Sequence, residues 1–171
     1  MHLAFLYCNY GIQEDQTAKR LLAALLRQLV EQCDSIPGPV ETLYISHAEN
    51  ATPPSLEDIF NTLSIVISVL DRVFIVVDAL DECLDRTRTE LLMKIQELQS
   101  RAKASLLVTS RHINDIEQHF AGDARLEIRA DQGDVEKYIG SQLVGLSHCI
   151  REEPILQEKI KKCIAETVDG M

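Results

Sequence analysis

The sequence has few of the features that mark specialised classes of protein. Only 17 of its 171 residues are Lys or Arg, against 27 Asp or Glu, and the net charge of −10 comes with no basic stripe. A nucleic-acid binder needs clustered positive charge to displace counterions from phosphates, so the sequence argues against a general nucleic-acid binder. No apolar run reaches the roughly 18–20 residues of a membrane span. The apolar opening has no basic leader, so we expect no signal peptide and a cytoplasmic protein.

Cysteine and histidine are present without the spacing that builds a disulfide framework or a metal centre. The five cysteines are widely spread, with no C-x-x-C pair and an odd total. This pattern indicates a reducing compartment. His112 and His119 are seven residues apart, with no further ligand at metal-binding spacing. We therefore expect the histidines and cysteines to be structural or incidental.

What the sequence does contain is an alternation of apolar runs and amphipathic segments. The apolar runs predict four strands, at residues 3–8, 73–78, 105–109 and 125–129. The helical patterns cover residues 16–32, 55–70, 88–101, 113–120, 131–146 and 154–168, and proline and glycine predict a loop over 34–54. Strands this far apart do not form hairpins. The order therefore predicts an α/β fold, with a parallel sheet covered by helices on both faces.

Three acids follow the second predicted strand. Asp78 ends a wholly apolar run, and Asp81 and Glu82 come directly after it. A carboxylate at a strand end suits a hydrated Mg²⁺ ion, and Asp81 or Glu82 is suited to accepting a proton from a water that attacks a γ-phosphate. The alternative is a solvated acidic turn in which Glu82 or Asp85 caps the next helix. Crowded like charges cost energy unless a cation or substrate uses them, which favours a site.

The third predicted strand ends in Thr109, Ser110 and Arg111. If the two strands are neighbours in a parallel sheet, this end lies beside Asp78. An arginine with adjacent hydroxyls is suited to reading a phosphate, because guanidinium–phosphate hydrogen bonds are charge-assisted and often bidentate. The alternative is that Arg111 pairs with a surface acid such as Asp115. Taken together, the two strand ends predict a phosphate and metal site.

These segments resemble a known family. Residues 73–83, V-F-I-V-V-D-A-L-D-E-C, resemble the extended Walker B motif of NACHT domains, which are STAND-class P-loop NTPases. Residues 106–111, L-L-V-T-S-R, resemble their sensor 1 strand. The resemblance continues over residues 5–10 and the helix after them, and over 126–128 and 134–139. It is greatest to the nephrocystin-like NACHT modules of filamentous fungi.

The resemblance implies a P-loop NTPase core of the ASCE-like type and assigns roles to the candidate residues. Residues 1–171 would form a partial NACHT domain, with Walker B at about 73–82, sensor 1 at about 105–111 and the start of a C-terminal helical part at about 131–171. Asp78 would hold Mg²⁺ through water, Asp81 or Glu82 would polarise the attacking water, and Arg111 would sense the γ-phosphate of ATP. Thr109 and Ser110 would complete the phosphate-sensing end. The intact module would be a switch that controls the assembly or signalling of attached effector and ankyrin, WD40 or TPR repeat domains, with a homo-oligomer as a further partner.

One part of the family pattern is missing from this sequence. A P-loop requires G-x-x-x-x-G-K-[ST], and none of the seven glycines here precedes a lysine. In the family's sheet the P-loop strand lies between the sensor 1 strand and the last strand, so we expect a gap beside residues 105–109. We therefore expect this chain alone to bind nucleotide weakly or not at all and to be inactive as an NTPase. The alternative function is a non-catalytic scaffold that acts through protein contacts. A helicase-like ATPase and a metal-dependent hydrolase are less favoured.

Overall fold

The structure is a computed structural model that describes residues 1–102, 104–129, 131–143, 145 and 153–167. The chain divides into two compact units, residues 1–121 and 122–171, which are described separately. None of the helices in these ranges combines the length and apolar character needed to cross a membrane.

The first unit alternates strands and helices. Its strands are β1 (His2–Tyr7), β2 (Val73–Asp78) and β3 (Ala104–Val108). Its helices are α1 (Ala18–Val30), α2 (Gly38–Glu49), α3 (Leu56–Val69), α4 (Asp85–Arg101) and α5 (Asn114–His119). Short 3-10 turns follow β1 at Tyr10–Ile12 and β2 at Leu80–Glu82. The second unit contains α6 (Gln132–Leu143) and α7 (Pro154–Thr167).

The three strands form one parallel sheet in the order β1-β2-β3. The register pairs Tyr7 with Asp78 and Val77 with Val108, so the carboxyl ends of all three strands lie at the same end of the sheet. The predicted α/β fold with a parallel sheet is confirmed, and the arrangement is consistent with a P-loop-like core. Because β2 is central, its carboxyl end lies between the ends of the other two strands.

One face of the sheet forms the core of the first unit. Alternate residues of the strands point into it, among them Ala4, Ile75 and Val77, and all three are almost fully buried. Leucines spaced three and four apart on α1 pack there together with residues of α3 and α4. The largest buried side chains include Phe60, Leu22, Leu25, Leu63, Leu91 and Ile95. Each such side chain contributes about 1.5–3 kcal/mol when it leaves water, so this core is what holds the strand ends in place.

The opposite face of the sheet is accessible within the first unit. Its alternate positions carry apolar side chains that remain exposed, with Phe5 at 43% and Leu107 at 60%. Helices were predicted on both faces, and in the described residues of this unit they cover the face that holds the core. An exposed apolar face of this kind is a candidate interaction surface.

The two edges of the sheet differ. At the β1 edge, two glutamine side chains make the hydrogen bonds that a neighbouring strand would make. The amide oxygen of Gln32 accepts from the N–H of Leu3 (3.0 Å) and its amide nitrogen donates to the Leu3 carbonyl (2.7 Å). Gln28 makes the same two bonds with Phe5, at 3.0 and 2.8 Å. At the β3 edge, the outward backbone groups of Leu106 and Val108 make no hydrogen bond with any described residue. Among the described residues, the β3 edge is therefore the one that is open to a further strand.

Two predicted segments differ from the structure. Residues 34–54 were predicted as a loop, but α2 occupies most of them; Pro39 lies in its first turn, where proline is tolerated because the N–H is unpaired in any case. Residues 125–129 were predicted as a strand and have no regular structure. The described residues of the second unit contain no strand with which this segment could pair, and Leu126 and Ile128 are exposed. The capping box of Ser55 and Asp58 is confirmed at the start of α3. The predicted helix ends near residues 146 and 168 lie outside the described residues.

Candidate functional site

Asp78 is held from both sides at the end of β2. Its backbone carbonyl accepts a hydrogen bond from the N–H of Cys8 at 3.0 Å. Its carboxylate oxygen Oδ1 accepts a hydrogen bond from the hydroxyl of Thr109. The same hydroxyl oxygen accepts from the backbone N–H of Ala79 at 2.9 Å. The end of β3 therefore fixes the orientation of the carboxylate at the end of β2.

The chain turns sharply directly after Asp78. Ala79 adopts a left-handed conformation with φ 53° and ψ 47°, which costs a non-glycine residue about 1–2 kcal/mol. Two hydrogen bonds compensate, one from Ala79 N–H to Thr109 Oγ1 and one from Leu80 N–H to the Thr109 carbonyl at 3.0 Å. The turn allows Asp81 and Glu82 to follow on a short 3-10 turn at the strand ends. Strain of this kind is concentrated at functional sites.

Asp81 and Arg111 form an ion pair between the ends of β2 and β3. Arg111 donates from its Nε to Asp81 Oδ2 at 2.6 Å and from its backbone N–H to Oδ1 at 3.0 Å. The side chain of Asp81 is only 4% exposed, whereas that of Arg111 is 75% exposed. Arg111 therefore pairs with one of the candidate acids, and the predicted alternative partner Asp115 is not the one that it contacts.

The ion pair changes the titration of both groups. Burial alone would raise the pKa of Asp81, but the side-chain and backbone hydrogen bonds from Arg111, together with its charge, outweigh burial. The pKa of Asp81 is therefore below its ordinary value. The hydrogen bond and the charge of Asp81 raise the pKa of the Arg111 guanidinium. Both groups are charged at neutral pH.

Glu82 and Ser110 make different contacts. Glu82 Oε2 accepts a hydrogen bond from the backbone N–H of Tyr10 at 2.9 Å, which ties the acidic turn to the segment after β1. The hydroxyl of Ser110 donates to the carbonyl of Arg111 at 2.8 Å. The predicted alternative, in which Glu82 or Asp85 caps the next helix, is not observed. The N-cap of α4 is Leu84, and Asp85 pairs with Arg88 at 2.7 Å.

Sequence reasoning missed two buried thiols beside this site. Cys8 follows β1, Cys83 ends the acidic turn, and both are almost fully buried. The hydrogen bond to Cys83, followed by burial, raises the pKa of the Cys8 thiol well above its ordinary value. Cys8 comes directly after the first apolar run and Cys83 directly after the acidic segment that follows the second, and this was the signal that could have placed them together. Cys8 also carries the N–H that binds Asp78, so it supports the site through its backbone.

Comparison with known protein families identifies the family of this chain. The family model described as Nephrocystin 3, N-terminal, matches residues 1–111. The chain belongs to the Nephrocystin 3 N-terminal family. The family match covers β1 through Arg111 and therefore includes every candidate site residue. No curated protein and no solved structure matches the chain.

Proposed function

We propose that this nephrocystin-like chain carries the metal-binding and phosphate-sensing part of an ATP-dependent switch, as the NACHT resemblance implies. The observation that carries the proposal is that the acidic end of β2 meets the hydroxyl- and arginine-bearing end of β3. In open parallel sheets, ligands bind at the carboxyl ends of the strands. A carboxylate oxygen that accepts from no described residue, at the same end of the sheet as an exposed guanidinium, suits a magnesium–phosphate ligand.

Asp78 fits a hydrated magnesium ion. Its Oδ1 accepts from Thr109, and no described residue donates to Oδ2. Mg²⁺ keeps most of its waters and takes few protein oxygens, so one oriented carboxylate is a sufficient protein contribution. In the described ranges no group of three His, Cys, Asp or Glu side chains converges on a metal position. The ion would neutralise phosphate charge when bound together with the nucleotide.

The remaining residues supply orientation and charge. Arg111 presents an exposed guanidinium for the γ-phosphate, and Asp81 or Glu82 orients the attacking water. The sequence has no glycine-rich loop with a lysine to surround the phosphates, so the chain alone binds nucleotide weakly or not at all. The open β3 edge supports a further strand at that position in a working module. Flanking effector or repeat domains, self-assembly and a cytoplasmic location belong to the same proposal.

A nucleotide titration tests this function. The transcript upstream of the Met1 codon is first sequenced for a frame that ends in Gly-Lys-Ser or Gly-Lys-Thr. Mg-ATP is then titrated calorimetrically into the chain alone and into the extended protein. We expect micromolar binding only by the extended protein and a large loss of Mg²⁺-dependent affinity in Asp78→Asn. The matched control is Asp71→Asn, an exposed acid at the other end of β2. Equal binding by Asp78→Asn and by the control contradicts the metal assignment.

The alternative function is a scaffold that acts through protein contacts only. The accessible apolar face of the sheet, with Phe5 and Leu107 exposed, favours this alternative. It predicts that neither protein binds Mg-ATP in the same titrations. Micromolar binding that depends on Asp78 rejects it.

A further inference from the structure

Asp81 and Glu82 are adjacent acids, yet the structure gives them different surroundings. Both carboxylate oxygens of Asp81 accept hydrogen bonds from a single residue, Arg111, through its backbone N–H and its Nε. Its side chain is also almost fully buried. An acid that orients a water needs an accessible oxygen within hydrogen-bond reach of that water. Asp81 has none to offer while the pair is intact.

Glu82 has the accessible oxygen that Asp81 lacks. Only its Oε2 is used, by the backbone N–H of Tyr10 at 2.9 Å. No described residue donates to Oε1, and the residue is only partly buried. The bond to Tyr10 fixes the carboxylate without occupying it fully. Of the two acids, Glu82 is therefore the one that can accept from a water.

The contact with Asp81 also determines how Arg111 is presented. Asp81 binds the Nε side of the guanidinium, and no described residue binds either Nη atom. A guanidinium held through Nε keeps its two Nη groups for a bidentate contact with an anion. The backbone N–H of Arg111 donates to the same carboxylate, so Asp81 fixes both the main chain and the side chain of Arg111.

We infer that Asp81 is a positioning residue that holds Arg111 in the orientation that reads a phosphate, and that Glu82 alone orients the attacking water. The inference rests on the proposed function for its phosphate and its water, and it decides between two acids that sequence reasoning left equivalent. Asp81 acts through Arg111 and touches no reacting atom. An asparagine at position 81 keeps the size of the side chain and removes the charge that binds the guanidinium.

The test follows the Nε–H signal of Arg111 by NMR in the whole chain labelled with ¹⁵N-arginine, with the signal assigned by its loss in Arg111→Lys. We expect this proton to exchange with water at least tenfold more slowly than that of free arginine. The exchange rate should rise at least fivefold in Asp81→Asn, return towards the wild-type rate in Asp81→Glu, and stay unchanged in Glu82→Gln. Wild-type exchange as fast as that of free arginine overturns the inference without any variant. So does an equal rise in Asp81→Asn and Glu82→Gln.

A second measurement separates this inference from the proposed function. Inorganic phosphate is titrated into the wild type and the variants while the Arg111 signal is followed. A phosphate affinity at least threefold weaker in Asp81→Asn, with no weakening in Glu82→Gln, supports both positioning and phosphate reading. Faster Nε–H exchange of Arg111 in Asp81→Asn, with no change of the Arg111 signal on addition of phosphate in any of the proteins, supports the positioning role and counts against the proposed function. A phosphate response equal in Asp81→Asn and wild type overturns the positioning role.

Discussion

The hydroxyl of Thr109 donates to the carboxylate of Asp78, so the last residue of β2 is oriented by the residue that follows β3. The same hydroxyl accepts from the N–H of Ala79, whose left-handed conformation starts the acidic turn. One side chain thus stabilises both the candidate metal ligand and the backbone turn that carries the next two acids. Thr109 was predicted as part of a phosphate-sensing end. Its contacts show that its hydroxyl is engaged with Asp78.

The first prediction concerns this hydroxyl. Thr109→Val keeps the shape and β-branching of the side chain and removes both hydrogen bonds. We expect the free energy of unfolding to fall by about 1–2 kcal/mol, because each net bond contributes about 0.5–1.5 kcal/mol and the position is partly hydrated. Urea denaturation measures the difference. Thr89→Val is the control: its hydroxyl binds only a helix carbonyl of α4, at Asp85, and it is equally exposed. A cost no greater than that of the control contradicts the role of Thr109.

Much of this arrangement could be predicted from sequence because it follows from strand topology. One apolar run ends in an acid and defines β2, and the next ends in Thr-Ser-Arg and defines β3. A parallel sheet brings the carboxyl ends of both strands to the same end of the sheet. What the pattern could not predict is which side chain pairs with which. That depends on the register of the two strands and on the turn at Ala79, which aims Asp81 back at Arg111.

The two errors in the fold have separate causes. α2 has no buried residue, and its sequence lacks the three-and-four apolar periodicity that predicted α1. Its proline and glycine were interpreted as breakers, although Pro39 lies in the first turn. Residues 125–129 alternate like a strand, but alternation stabilises a strand only when a partner is present.

The second prediction follows from the lowered pKa of Asp81. A carboxyl whose pKa is lower in the folded than in the unfolded protein stabilises the fold above the unfolded pKa. That contribution is lost as the pH falls through the folded pKa. We therefore expect Asp81→Asn to be less stable than wild type at pH 7, with a difference that shrinks below about pH 4, near the ordinary pKa of aspartate.

Urea midpoints measured between pH 7 and pH 3 check the prediction. Asp34→Asn, in an exposed loop, controls for the loss of one negative charge. A destabilisation by Asp81→Asn that is the same at pH 3 and pH 7 contradicts a stabilising ion pair, because any contribution from the carboxylate charge must decrease as the carboxyl protonates.

The third prediction concerns the glutamines that protect the β1 edge. Gln28→Ala combined with Gln32→Ala removes four hydrogen bonds to the backbone of Leu3 and Phe5. Water replaces these bonds at an exposed edge, so we expect a modest loss of about 1–2 kcal/mol in the free energy of unfolding. The larger effect is on association, because an unpaired edge accepts strands from other chains.

Light scattering coupled to size-exclusion chromatography measures this association. The double variant is expected to form more oligomer than wild type at the same concentration. Gln99→Ala, at an exposed position of α4, makes the same substitution within a helix as Gln28→Ala and is the control. An oligomer fraction equal to that of the control would show that the glutamines do not protect the edge.

The last prediction tests the accessible face of the sheet with one substitution at two adjacent positions. Leu106 points into the core and Leu107 points to the opposite face, where it is 60% exposed. Leu106→Thr should lower the free energy of unfolding by about 1–3 kcal/mol, because it removes buried apolar surface and introduces a hydroxyl. Leu107→Thr should change it by no more than about 0.5 kcal/mol, as exposed substitutions do. Both variants make the same Leu→Thr change in the same strand, so the change in strand propensity cancels when the two are compared. If Leu107→Thr costs as much as Leu106→Thr, this face is covered in solution, and measuring the cost at several protein concentrations shows whether a second copy covers it.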